Sequence, residues 1–226
     1  MGKGSGGTRM SSPYTKAKTA TGTPIAVSTN GVRVSGKSMA TIISSDKSIK
    51  DMKNRDMQKE IQQAISRYEA VMGVRERNIR LANTGSSYGV TFFNSDGSDG
   101  IYLNEKLFDV PKAEFAREYA KSNYARRGGF KNVTRKPAQH TVTHELAHAT
   151  WTSGYTSAKA QAAGREIRAL YSEFMKDKSS SRKKNYGAYG TKNVDEFWAE
   201  VITKGIHGDN DRYTRRAQAI ARKHRL

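Results

Sequence analysis

Pro137-Ala138-Gln139-His140-Thr141-Val142-Thr143-His144-Glu145-Leu146-Ala147-His148-Ala149-Thr150-Trp151 is the stretch on which the reading of this chain turns. Proline suits a first helical turn, where its missing N–H would have had no partner. The run therefore predicts a helix from Pro137 to about Trp151. His144 and His148 stand four apart and share a face of that helix, so both imidazoles can reach one ion. Glu145 flanks the same face and can reach a water held there. Val142, Leu146 and Ala149 lie opposite and can bury, which predicts an amphipathic helix with its polar side toward a cleft. The bland alternative is a pair of surface histidines. With five His in the chain, chance would place H-E-x-x-H in roughly 0.5% of such sequences, and the motif uses two of the five. The longer pattern H-E-x-x-H-x-x-G-x-x-H is excluded, because Trp151 stands at its glycine and Gly154 at its last histidine.

Two histidines do not hold a catalytic metal. Such a site takes three protein ligands and keeps one position open for water. Cysteine is absent, so the third ligand must be His, Asp or Glu, and no thiolate or disulfide enters the chemistry. Downstream candidates are Asp195, Glu196, Glu200 and His207. Glu196 and Glu200 share one helix face in Asn193-Val194-Asp195-Glu196-Phe197-Trp198-Ala199-Glu200. One carboxylate can bind the ion while the other accepts a hydrogen bond from a ligand imidazole. The competing explanation is structural: Asn193 with Glu196 three residues later has the form of a helix capping box. His207 follows the helix stop expected at Gly205. His140, four before His144, is expected as a surface residue or a support for a ligand.

H-E-x-x-H followed by a helix with E-x-x-x-E resembles the gluzincin group of zinc peptidases. The segment Tyr189-Gly190-Thr191-Lys192-Asn193-Val194-Asp195-Glu196-Phe197-Trp198-Ala199-Glu200 resembles the catalytic-domain segment of the anthrax lethal factor family. The shared features are a Tyr-Gly pair, an Asn four residues after the Tyr, and an E-F-aromatic-A-E run. The likeness covers about residues 140–152 and 186–203. It implies Zn2+ held by His144, His148 and Glu196, Glu145 as general base, Glu200 supporting a ligand histidine, and Tyr189 stabilising the oxyanion, with Tyr186 as the rival tyrosine. It also implies a zincin-like α+β fold acting on a protein or peptide substrate. The toxin's receptor-binding and substrate-selecting parts have no counterpart in these 226 residues. His₂Glu suits zinc, and spacing alone does not exclude another divalent ion.

Outward from these motifs, the chain divides at Asp46. Residues 1–45 are rich in Gly, Ser, Thr and Lys and lack acidic residues, which predicts a flexible basic tail with a weak strand at Thr23–Val27 or Val32–Val34. Residues 46–226 form the predicted domain. Ile49, Met52, Met57, Ile61, Ala64, Ile65, Tyr68, Val71 and Met72 recur at helical spacing up to Gly73. Strand-like runs at Asn78–Ala82, Tyr88–Phe93 and Gly100–Asn104 follow, with a hairpin turn expected at Ser95-Asp96-Gly97. Ile101, Tyr102 and Leu103 belong either to an edge strand that could pair with a peptide substrate or to an ordinary core strand. Further helices are expected from Pro111 to about Tyr124, Ser157 to Lys176, Asn193 to Gly205, and onward from Asp211, with basic loops at Arg126–Asn132 and Lys176–Lys184. Helix, small mixed or antiparallel sheet, then helices is an α+β order.

The net charge is +19, which favours nucleic acid, anionic surfaces or acidic partners and leaves the fold open. It supports a second expectation: a basic protein of the virion or nucleic-acid class, with polyanion contacts through the tail. Gly2-Lys3-Gly4-Ser5-Gly6-Gly7-Thr8-Arg9 resembles the tails of phage head-associated proteins. No apolar run is long enough to span a membrane and no ordinary secretory signal is present. Virion association, export by another route, or release by lysis therefore stay open. Composition and spacing do not specify the oligomeric state.

Overall fold

The computed structural model describes residues 14–15, 25–28, 47–73, 79–85, 87–93, 99–121, 134–152, 157–179 and 185–226. In chain order these form strands β1 (Tyr14–Thr15), β2 (Ile25–Ser28) and β3 (Lys47–Ser48), helix α1 (Arg55–Met72), and strands β4 (Ile79–Ala82), β5 (Gly89–Phe93) and β6 (Asp99–Asn104). Helices α2 (Glu105–Phe108), α3 (Lys112–Lys121), α4 (Pro137–Thr150), α5 (Ala158–Lys176), α6 (Gly187–Lys192), α7 (Val194–Ile206) and α8 (Arg212–His224) follow. The described residues are α+β, as the element order predicted, and they are mostly helical with a small mixed sheet.

The sheet order is β1-β2-β5-β6-β4-β3. β5 and β6 pair antiparallel, with Thr91 opposite Ile101, as the expected hairpin requires. The Ser95-Asp96-Gly97 turn lies outside the described residues. β4 returns parallel to the other side of β6. This corrects the edge-strand expectation for Ile101, Tyr102 and Leu103. β6 has a hydrogen-bonded neighbour on both sides, so its backbone has no free edge to offer a peptide. Ile101 and Leu103 are buried in the core. The strand-like run in the sequence marked a strand, but position within a sheet depends on partners distant in the chain.

Two short segments before residue 46 enter the sheet. β2 pairs antiparallel with β5, and β1 pairs with β2. The weak strand expected at Thr23–Val27 therefore corresponds to Ile25–Ser28, and that part of the N-terminal stretch belongs to the sheet. Val32–Val34 and the remaining tail up to Asp46 lie outside the described residues, as do the loop Arg126–Asn132 and residues 180–184.

α1 starts at Arg55, later than the apolar spacing suggests. The Asp109 carboxylate accepts from the backbone N–H groups of Lys53 at 2.9 Å and Asn54 at 3.0 Å. The Asn54 amide donates to the Asp109 carbonyl. These bonds hold the chain out of helical register, and Ile49–Asp51 forms a separate 3-10 turn capped by Ser48. Gly73 ends α1 in the left-handed conformation at φ 69°, where glycine avoids the Cβ penalty.

α4 lies between α1, α7 and β5. The Tyr68 hydroxyl donates toward the Leu146 carbonyl and Thr150 Oγ1, each at 3.2 Å, tying α1 to α4. The Trp151 indole donates to the Ala160 carbonyl at 3.0 Å and anchors α5. Trp151 meets Trp198 of α7 edge-on at 6.1 Å. Residues 138–150 of α4 are all buried, so the expected amphipathic helix is instead enclosed on every side. Its polar face meets α7, not an open cleft. α8 is capped by Asp211, which accepts from Tyr213 and Thr214 N–H groups, and it buries Tyr213, Ala217, Ile220 and Ala221. Among the described residues no helix is long and apolar enough to cross a membrane.

Candidate metal centre

α4 and α7 supply the site, and each has a local reason to form where it does. Pro137 opens α4. Asn193 opens α7, its side-chain oxygen accepting from Asp195 N–H at 3.0 Å and Glu196 N–H at 2.9 Å. The capping explanation for this segment is thus half realised. Asn193 does cap the helix, but the Glu196 side chain turns toward α4. Phe197, Trp198, Val201 and Ile202 bury the adjoining faces of α7, which fixes the direction of Glu196 and Glu200.

His144 Nε2 lies 3.1 Å from Glu196 Oε2 and 3.0 Å from His148 Nε2. His148 Nε2 lies 3.4 Å from Glu196 Oε2. A tetrahedral zinc with bonds of ~2.0–2.1 Å separates its ligands by about 3.3 Å, so this triangle has the size that such an ion requires. His144, His148 and Glu196 form a buried group able to hold a metal ion.

Hydrogen-bond roles make the same point chemically. An ionised carboxylate only accepts. The Nδ1–H of His144 therefore donates to Glu200 Oε1, at 2.9 Å, and a neutral His144 presents a lone pair at Nε2. That lone pair faces a carboxylate oxygen and another imidazole nitrogen, an arrangement in which these three groups could hold a cation. A proton can serve one pair of the three, whereas a metal ion serves all of them. Burial opposes charge on His144, but its hydrogen bonds to Glu196 and Glu200 outweigh burial and raise its pKa to about 10. His148 goes the other way. Burial, reinforced by charge on His144, lowers it to about 4 against the pull of Glu196. Burial also pushes Glu196 and Glu200 upward, and their imidazole partners reverse that, so both are held below the ordinary carboxylate range.

Glu200 serves two histidines. Besides His144 it lies 3.5 Å from His140 Nε2. His140 is buried beside the Glu200 carboxylate, so it does not take the surface position. His207 does not join the triangle: its Nε2 is 3.1 Å from Thr143 Oγ1 and its ring stacks on His140 at 5.9 Å. Asp195 is buried, with its carboxylate 3.4 Å from the Thr152 hydroxyl, and likewise stays out of the triangle.

Glu145 leaves the α4 helix toward β5. The Thr91 hydroxyl donates to Glu145 Oε2 at 2.8 Å. A Cβ added at Gly89 would stand 2.7 Å from Glu145 Oε1 and 2.9 Å from its Cδ and Cγ, so with any other residue there the strand or this carboxylate would have to shift. Spacing along α4 revealed Glu145. Neither Gly89 nor Thr91 carried any signal, since their role appears only when β5 is laid on α4.

The two tyrosines separate cleanly. The Tyr189 ring is edge-on to His144, with centroids 5.8 Å apart. Tyr186 donates to Asp211 at 2.7 Å and packs among Phe174, Phe197 and Tyr213. Burial and the Asp211 carboxylate both push its hydroxyl pKa up. Lys192, which the sequence did not single out, places Nζ 3.4 Å from Glu196 Oε1 and 5.0 Å from the Tyr189 ring centre. Ile101, Tyr102 and Leu103 belong to the interior strand β6 and contribute no substrate edge. Comparison with protein-family models, curated proteins and solved structures finds no match to this chain, so the meaning of the site rests on its own geometry and chemistry.

Proposed function

We propose that this chain is a zinc-dependent endopeptidase of the gluzincin type on a zincin-like fold, with His144, His148 and Glu196 as metal ligands. The observation that carries the proposal is the buried triangle of His144 Nε2, His148 Nε2 and Glu196 Oε2, with sides of 3.0 to 3.4 Å, with Glu145 next to His144 in the chain and its carboxylate turned toward Thr91. The resemblance of residues 140–152 and 186–203 to the lethal factor family points to the same assignment. Zinc, when bound, supplies a Lewis acid for the scissile carbonyl and lowers the pKa of water toward ~7.

The chain's own residues have separable tasks in this scheme. Glu145 accepts a proton from the attacking water and returns it to the leaving amine. Thr91 holds the carboxylate that does so. Glu200 accepts from His144 Nδ1–H, which keeps Nε2 free for the ion and orients the ring. Tyr189, beside His144, donates to the developing oxyanion, a role typically worth ~10²–10³-fold in rate.

Two variants test the proposal together. Purified wild type carries about one zinc per chain, as a three-ligand site requires, whereas Glu196→Ala loses most of it. Glu145→Gln keeps the metal and loses peptide hydrolysis by at least ~10²-fold, the lower range for a general base. An active Glu145→Gln protein, or wild type that takes up no zinc on reconstitution, would refute the assignment.

A further inference from the structure

A second polar feature lies at the other end of α4, outside the metal centre. Between α1 and the entry to α4 runs a groove of about 450 Å³. Its α1 wall is Lys59, Gln62, Gln63, Ser66 and Arg67. These positions follow the i, i+3, i+4, i+7, i+8 spacing of one helix face, and all five are exposed. Lys136 and Gln139 form the facing wall. The lining holds three cations, three amides and a hydroxyl, with no carboxylate, aromatic ring or aliphatic side chain among its residues.

We propose that this groove binds the phosphate backbone of a nucleic acid. Lys, Arg, Ser and Gln side chains are the groups that proteins use to contact phosphate and sugar, and here they line one groove. From Lys59 to Arg67 the helix rises ~12 Å, which spans more than one phosphate of a strand. The absence of aromatic lining removes base stacking, so recognition is of backbone rather than sequence. The same absence leaves nothing to hold a lipid chain.

The cations are available for this role. Among the described residues none of Lys59, Arg67 and Lys136 forms an ion pair with a carboxylate. The Glu60 carboxylate, which accepts from Gln139 Nε2 at 2.9 Å, is also engaged by Lys112. Gln139 Nε2 also donates to Gln63 Oε1 at 3.0 Å, so the NH₂ end of Gln63 is the end left for a ligand. The positive field reaches beyond the groove. After burial and His140, Arg67 is the next influence holding His207 down, and Lys136 adds to it. A chain with net charge +19 has long-range attraction for polyanions in any case, and this groove gives that attraction a defined seat.

The test compares two full-length variants that remove equal charge. Lys59→Gln/Arg67→Gln/Lys136→Gln empties the groove of cations. Arg165→Gln/Lys176→Gln/Arg222→Gln removes three exposed cations from α5 and α8. Binding of a labelled duplex DNA of about 20 base pairs is followed by fluorescence anisotropy over a range of salt. The groove variant is expected to bind at least ~10-fold more weakly than wild type, with the slope of log K against log salt smaller by about two to three. The control variant is expected to stay within ~3-fold of wild type, with thermal melting confirming that both are folded. Equal losses in the two variants overturn the proposal, because DNA is then held by overall charge. Two further arms use inorganic phosphate and polyglutamate. Phosphate that raises the melting temperature of wild type but not of the groove variant, without DNA binding, overturns the nucleic-acid assignment in favour of free phosphate. Polyglutamate that displaces DNA at matched charge and depends on the same three residues overturns it in favour of an acidic polypeptide.

Discussion

In its second half α4 places two imidazoles and a carboxylate in a fully buried setting, and each meets a specific partner: Glu196, Glu200 or Thr91. At its first turn the same helix, with Lys136 at its entry, faces Lys59 and Arg67 across an open groove, where no carboxylate of the lining balances the three cations. Both ends are polar, but they solve opposite problems. Buried charges are tolerable only when paired and hydrogen-bonded, so the centre must be complete or it destabilises the chain. Exposed cations are hydrated and cost little, so the groove can wait for a partner. Changes at the buried end should therefore damage folding and chemistry together, while changes at the exposed end should alter binding alone.

The sharpest blow to the buried end comes from β5. In Gly89→Ala the new Cβ meets the Glu145 carboxylate at under 3 Å. Either the strand or the carboxylate must move. Overpacking of this kind costs ~1–3 kcal/mol, and a shift of ~1 Å in a reacting group can cost about 10²-fold in rate. Denaturant melts and hydrolysis assays read the two effects separately. Wild-type rate with wild-type stability would mean that β5 does not fix Glu145.

Thr91→Val keeps the shape of the strand and removes the donor to Glu145 Oε2. A hydrogen bond to a charged group contributes ~1.5–3 kcal/mol, so loss of stability in that range is expected, together with a fall in hydrolysis. Thr91→Ser restores the hydroxyl and should restore both. Failure of serine to rescue would assign the effect to packing instead.

These two residues also mark where the sequence stops being informative. His144, Glu145 and His148 follow from helical spacing; the face of a second helix offers Glu196 and Glu200 together, and it is the resemblance that assigns them separate roles. Local periodicity carries that information, and the helices lie near their expected bounds. Three things depended on contacts between distant segments. The start of α1 is set by Asp109, 54 residues beyond Arg55 in the numbering. The interior position of β6 is set by the parallel return of β4. The closeness of β5 to Glu145 is set by how the sheet lies on α4. The short helix α6 was not among the expected elements; Gly190 lies in it where a Cβ would stand 2.5 Å from that of Tyr186.

A milder test uses pH and keeps every residue. Without metal, His144 holds a proton up to about 10, so an ion arriving at Nε2 must displace it. Apparent zinc affinity should rise by about tenfold per pH unit between roughly pH 7 and 9, with close to one proton released on binding. His148, at about 4, is already neutral there and releases none. Calorimetry in buffers of different ionisation enthalpy counts the proton. The carboxylate side has the opposite sign. Glu200 is held below the ordinary range, so its contribution to stability is present at neutral pH and lost as the solution becomes acidic through its folded pKa. Zinc affinity flat across that window would mean that no imidazole proton competes with the ion.

The smallest effect is expected at the groove, and its smallness is what distinguishes the two ends of α4. Lys59→Gln/Arg67→Gln/Lys136→Gln removes three exposed side chains that have no ion pair to break among the described residues. Each surface change of this kind is expected to stay within ~0.5 kcal/mol. The sum can even favour folding, because a chain at +19 repels itself and loses part of that repulsion. Zinc content and hydrolysis should match wild type, since none of the three touches the triangle or Glu145. Urea denaturation, metal analysis and peptide cleavage on the same preparation decide the matter. A stability loss above ~2 kcal/mol would place these cations in the class of buried, paired charges, and the contrast between the two ends of α4 would fail. An unchanged melt with unchanged hydrolysis would leave DNA affinity as the single property these residues control.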